Sequence, residues 1–93
     1  MYSFAFMINE FLLNEFGDRI KQLRLQKNLS QEKLSFLTGF HRTYIGMIER
    51  GERNISLTNM AVFAKAFKLT IDELLKFDNL KDLQKKYKLK TEE

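Results

Sequence analysis

Three arginines and a histidine crowd one short stretch, TGFHRTYIGMIERGERN, from Thr38 to Asn54. His41 and Arg42 stand at its head, and Arg50 and Arg53 flank Gly51 and Glu52 at its tail. Scattered cations usually decorate a solvated face. Cations gathered on one segment suit an anionic partner, and nucleic acid is the commonest polymer of that kind. The charge of the chain is uneven in the same sense. Residues 1–16 carry two acids and no base, residues 17–57 carry eight Lys or Arg against four acids, and residues 58–93 carry eight Lys against six acids. All five arginines fall in the middle segment.

Catalytic chemistry has little to work with. There is no cysteine, so thiolate metal sites and disulfides are excluded, and the single histidine makes a histidine zinc site untenable. No glycine-rich phosphate loop, metal cluster or nucleophile–base pair is present. Glu49, Glu52, Asp72 and Glu73 each have a structural explanation. The expectation is a protein that is not an enzyme and takes no metal, cofactor or small-molecule ligand.

The elements that must position these residues are helical. Ninety-three residues, 44% apolar and without proline, are enough for one domain. No segment alternates with period two for long. Four boundaries share one scheme, a capping residue preceded by an apolar residue, with a second apolar residue four positions into the helix. Ser30 is flanked in this way by Leu29 and Leu34, His41 by Phe40 and Ile45, Ser56 by Ile55 and Met60, and Thr70 by Leu69 and Leu74. Glu73 completes a capping box with Thr70. The helices expected are roughly 18–27, 31–37, 42–50, 57–67 and 71–77, with a weaker stretch at 80–90. Leu57, Met60, Ala61, Phe63, Ala64 and Phe67 fall at helical spacing and read as core.

The fold class is therefore all-α, a compact bundle of five short helices (17–77) with a helical N-terminal extension (1–16) and a lysine-rich C-terminal one (78–93). The N-terminal MYSFAFMINEFLLNEF is too short for the ~20 apolar residues of a membrane span. Asn9, Glu10, Asn14 and Glu15 interrupt it, and it lacks a targeting signal's basic start. It reads as a separate helix packed on the domain or on a second copy, in a cytoplasmic protein that does not enter membranes.

Between the second and third helices lies LTGF, a short glycine-bearing turn of the helix-turn-helix kind. Gly39 suits a left-handed backbone there, and Ser35 is small where the helices must approach. Ile45 and Ile48 point back toward Leu34 and Leu37. Arg42, Thr43, Gly46, Met47 and Arg50 are left on the outer face.

SQEKLSFLTGFHRTYIGMIERGERNIS resembles the lambda-repressor-like (Cro-type, XRE-type) helix-turn-helix family. Gln31, Ser35, Gly39, Ile45, Ile48 and the IERG ending fall on its pattern, from about Gly17 to Phe77. Within it, HRTYIGMIERGERNIS is most similar to the controllers of restriction–modification operons. His41 departs from the pattern, where an acidic or hydroxyl cap is commoner. The resemblance implies a homodimeric, sequence-specific transcriptional regulator on a pseudo-palindromic site in double-stranded DNA, with the third helix in the major groove. Arg42, Thr43, Tyr44 and Met47 are then the base readers, although Tyr44 could equally pack. Gln31, His41, Arg50, Arg53 and Asn54 are then phosphate contacts, with His41 also serving as a cap. The family's glutamate–arginine pair maps to Glu49 and Arg24. Ile71, Leu75 and Phe77 are expected at the dimer contact. Two other readings stay open at this point: an antitoxin-type DNA-binding protein whose extensions hold a partner protein, and a helical domain without a DNA role.

Overall fold

Capping side chains start every helix. The computed structural model describes residues 3–77 and Lys85, and over these the chain forms α1 (Phe4–Gln26), α2 (Gln31–Thr38), α3 (Arg42–Glu49), α4 (Leu57–Ala66) and α5 (Ile71–Leu74). Ser3, Ser30, Ser56 and Thr70 each accept from the backbone N–H three residues on, and His41 Nδ1 accepts from Thr43 N. Glu73 Oε1 returns the contact to Thr70 N at 2.9 Å, closing the capping box.

The helix ends follow a second rule. Asn28, Gly51 and Lys68 take left-handed backbone after α1, α3 and α4, with φ of 55°, 73° and 59°. In each case the next N–H reaches back five residues: Leu29 N to Arg24 O, Glu52 N to Met47 O, and Leu69 N to Ala64 O, at 2.9–3.0 Å. These are Schellman closures, which satisfy carbonyls that the helix leaves free. Leu29 and Leu69 serve twice, since each also precedes the cap of the following helix and packs against the core.

The core is drawn from every helix: Phe16, Ile20 and Leu23 of α1, Leu34 of α2, Ile45 and Ile48 of α3, Phe63 and Ala64 of α4, and Leu74 of α5, with Phe67 closing α4. Phe63 lies at its centre, edge-on to Phe16 at 6.4 Å and tilted against Phe40 at 5.2 Å. Edge contacts of this kind add to the area that the rings bury.

Four expectations are corrected. The helix expected from Asp18 begins at Phe4, so the N-terminal extension is the first half of α1 rather than a separate helix. No proline interrupts it, and Gly17 is there for packing. A Cβ on Gly17 would strike the carbonyl oxygen of Ile48 and, at 2.6 Å, that of Glu49, so α1 and α3 touch backbone to backbone. Leu37 is 54% exposed rather than inward, because Phe40 fills the space over Phe63. Of the stripe read as core in α4, Leu57, at 65%, and Ala61 are exposed, whereas Met60, Phe63, Ala64 and Phe67 belong to the core or pack against it. Finally, α5 stops at Leu74 rather than running to Phe77. Arg19 takes the carbonyls of Glu73 and Leu74 at 2.8 and 3.0 Å, and the Phe77 ring turns edge-on to Phe16 at 6.4 Å. The lysine-rich segment 78–93 lies outside the described residues apart from Lys85.

Gly17→Ala sets two effects against each other. Alanine gains about 1 kcal/mol in helix propensity, but its methyl group must push α1 off α3, at a cost of about 1–3 kcal/mol or more against rigid backbone. The expected outcome is a lower melting temperature by thermal circular dichroism; an unchanged or raised one would show that the two helices do not meet at Gly17.

Candidate nucleic-acid interface

The turn between α2 and α3 is built from hydroxyls as well as glycine. Thr38 Oγ1 donates to Leu34 O at 2.9 Å and accepts from Phe40 N at 3.1 Å, while the Ser35 hydroxyl donates to Phe40 O. Gly39 has φ of 79° with open space around a hypothetical Cβ, so conformation alone requires glycine there. The turn thus fixes the angle at which α3 leaves α2.

Behind α3 sits a buried charge network. Arg24 Nε and Nη2 grip Glu49 Oε2 and Oε1 at 2.7 and 3.1 Å, a two-pronged pairing of guanidinium with carboxylate. The third nitrogen, Arg24 Nη1, donates to Leu29 O at 2.8 Å, and Gln31 Nε2 donates to Glu49 Oε1 at 3.1 Å. Both charged residues are 8% exposed. Among the described residues no buried side-chain nitrogen or oxygen lacks a partner. One network therefore ties the end of α1 and the start of α2 to the end of α3. Gln31, expected at a phosphate, has one amide N–H engaged in this network and is only half-buried.

The outward face of α3 presents Arg42 and Thr43, both exposed on its first turn, with Met47 half-buried one turn on. Gly46 is buried rather than outward, because the Arg50 and Gln31 side chains lie over it. Tyr44 is half-buried. Its ring meets Phe40 edge-on at 5.1 Å, its hydroxyl accepts from Asn59 Nδ2 at 3.0 Å, and the Arg53 guanidinium lies 6.0 Å from its centroid. His41 is exposed and caps α3 through Nδ1, so Nε2 takes no part in the cap. Asn54 Oδ1 accepts from Ile55 N at 2.9 Å. Arg50 pairs with Glu52 at 2.7 Å, and that contact holds the Glu52 carboxyl below its usual range and the guanidinium above its own. Arg42 and Arg53 take part in neither of the two ion pairs among the described residues.

A second surface is apolar. None of residues 3–15 is buried, although Phe4, Ile8, Phe11, Leu12 and Leu13 are half-covered. Together with α4, the loop before it and the residues after α5, this half of α1 borders a cleft of about 320 Å³ lined by Leu12, Leu13, Ile55, Met60, Leu75 and Phe77. Ile71, Leu75 and Phe77 are half-buried against the core, whereas Leu74 is wholly inside. Among the described residues no group of His, Asp or Glu is arranged to hold a metal, and no helix is long and apolar enough to cross a membrane.

Reading the chain alone missed Arg19, Thr38 and Asn59. A hydroxyl two residues before Phe40 was a legible turn signal. Nothing local marks Arg19 or Asn59, whose partners are 55 and 15 residues away.

The helix-turn-helix family model matches residues 20–74. The control protein C.BamHI of Bacillus amyloliquefaciens is 46% identical over 72 residues, 76% of this chain and 89% of that protein. The crystal structure of the restriction–modification controller protein C.AhdI from Aeromonas hydrophila superposes with a TM-score of 0.64 at 48% identity, covering 67% of this chain and 94% of that one. The controller protein C.Esp1396I, solved as a tetramer on its natural 35-base-pair operator, is 33% identical with a TM-score of 0.64, covering 69% of this chain and 84% of that one.

Arg24→Ala strands the Glu49 carboxylate in a buried site, which costs about 3–5 kcal/mol. Thermal melts should show Arg24→Ala well below the parent, with a double mutant lacking both charges less impaired than the sum of the two single mutants. A parent-like melt for Arg24→Ala would mean that the pair does not hold α3.

Proposed function

The chain belongs to the helix-turn-helix family, and from that premise we propose that it is a dimeric, sequence-specific transcriptional regulator of the restriction–modification controller type. The observation that carries this reading is the exposed first turn of α3, where Arg42 and Thr43 project from a helix that the buried Arg24–Glu49 pair holds from behind. A rigidly backed helix with free donors at its N-terminal end is the geometry that places side chains on base edges in the major groove. C.Esp1396I on its operator supports DNA as the partner. The protein works by binding, inside the cytoplasm, without a small-molecule ligand, so its own concentration and assembly set its output.

Arg42 reads a guanine through two parallel hydrogen bonds, worth about 1–3 kcal/mol of discrimination. Thr43 and Met47 contact neighbouring base edges. Tyr44 contributes as a wall: its ring sits against Phe40 and its hydroxyl is taken by Asn59, so the side chain shapes the edge of the reading face. Arg50, Arg53, His41 Nε2 and the free amide N–H of Gln31 surround that face and serve phosphates, which position the protein without reading sequence. Asn54 completes the phosphate set from the loop beyond α3.

One such module covers little DNA, so two copies related by a two-fold axis are needed, with reading helices about 34 Å apart. The apolar half of α1 and the half-buried Ile71, Leu75 and Phe77 supply the surface for that contact.

Arg42→Ala should abolish the preference for operator while keeping most of the affinity for random duplex at one fixed salt concentration. Equal losses on both duplexes would make Arg42 a phosphate contact. Arg53→Ala should lower both affinities and reduce the salt slope by roughly one unit. For assembly, light scattering after size exclusion should give a dimer for the full chain. A monomer at tens of micromolar would remove the dimeric part of the proposal, and a dimer persisting without residues 1–14 would confine the contact to α5 and its surroundings.

A further inference from the structure

The closure of α3 differs from its two counterparts. In α1 and α4 the residue after the left-handed position is Leu29 or Leu69, and each packs on the core. The usual occupant of that place is apolar, since it lies against the last turn of the helix it closes. After α3 the same place holds Glu52, a charged residue whose side chain is 49% exposed. Packing therefore does not account for a glutamate here.

Its carboxylate faces the end of the DNA-reading helix. Glu52 Oε2 lies 2.7 Å from Arg50 Nε and Oε1 lies 3.2 Å from Arg50 Nη2, so both oxygens engage one edge of the guanidinium. The turn between the two residues is firm. Arg50 N and Glu52 N are tied to Gly46 O and Met47 O at 3.1 and 2.9 Å, and Gly51 between them lies against Asn14 of α1 in left-handed backbone, with φ of 73°. Arg50 in turn lies over Gly46, on the outer face of α3. A carboxylate and a phosphate offer a guanidinium the same pair of oxygens.

We propose that Glu52 is a built-in competitor for the phosphate site of Arg50: it occupies the guanidinium edge that a DNA phosphate would take and sets a negative charge beside that phosphate's position. The proposal rests on the DNA-binding reading of α3. Its consequence is restraint. A backbone phosphate reaches Arg50 only by displacing Glu52, so contacts that carry no sequence information are weakened while Arg42, eight residues upstream, is untouched. Glu52 thereby tunes how tightly the protein holds DNA of any sequence.

The test uses the full-length chain and its Glu52→Gln, Arg50→Ala and doubly substituted variants, titrated against a random-sequence duplex over a range of salt concentrations. Glu52→Gln should bind about threefold to tenfold more tightly at low salt, with a salt slope steeper by about one unit, and should melt like the parent. In the Arg50→Ala background the same substitution should have a much smaller effect, because the guanidinium it frees is gone. A parent that binds duplex while Glu52→Gln matches it in affinity and slope would overturn the proposal and leave the DNA reading intact. So would a gain of equal size with and without Arg50, which would make Glu52 a general negative charge. A parent that binds no duplex at low salt would instead bring down the DNA reading itself.

Discussion

The pair of Arg24 and Glu49 is the constraint on which the remaining geometry depends. Helices α2 and α3 are eight residues each, too short to persist alone in water, so their orientations come from what they are fastened to. Apolar packing through Leu34, Ile45 and Ile48 supplies the affinity but little direction. The fork between guanidinium and carboxylate supplies direction, because two parallel hydrogen bonds tolerate little rotation. Burying two charges carries a desolvation cost, and that cost is offset here in part by the carbonyl of Leu29 and the amide of Gln31, which give each group a further hydrogen bond. Gln31 is consequently both part of the brace and a neighbour of the surface that the brace presents.

Arginine shows how little residue type reveals without burial. Arg24 is a buried strut, and Arg19 caps the end of α5 from a different helix. Arg50 is matched by an acid at the surface, and Arg42 and Arg53 project without an ion-pair partner among the described residues. In the sequence all five are equal contributors to a basic segment. Residue type alone does not separate those that hold the domain together from those left over for an anion; the fold does.

What could be read from the chain was what is local. Caps and staples act between residues two to five apart, so Ser30, His41, Ser56 and Thr70 announced four helix starts correctly. The Arg24–Glu49 pairing came from family resemblance rather than from any local signal. What escaped depends on the path of the chain in space. Gly17 stood only at the expected start of the domain, but it is the place where α1 touches the backbone of α3. Leu37 and Leu57 look like core residues by spacing and lie outside, whereas Phe40 and Met60, three residues on from each, pack against the core. Tyr44 could not be assigned to packing or recognition from its type; in the fold its ring packs on Phe40, its hydroxyl accepts from Asn59, and Arg53 lies over the ring.

The double service of Leu29 and Leu69 bears on how this chain can change in length. Each leucine finishes one helix and begins the next, so the connections at 27–30 and 67–70 contain no residue without an assigned conformation. Adding or deleting one residue there would rotate the following helix by about 100° about its own axis, carrying Leu34 or Leu74 out of the core. The segment from Arg53 to Asn54 is under no such obligation, since α4 starts afresh at Ser56. Insertions and deletions that survive selection should therefore collect between α3 and α4 and at the chain ends, beside the DNA-facing surface rather than within its supports.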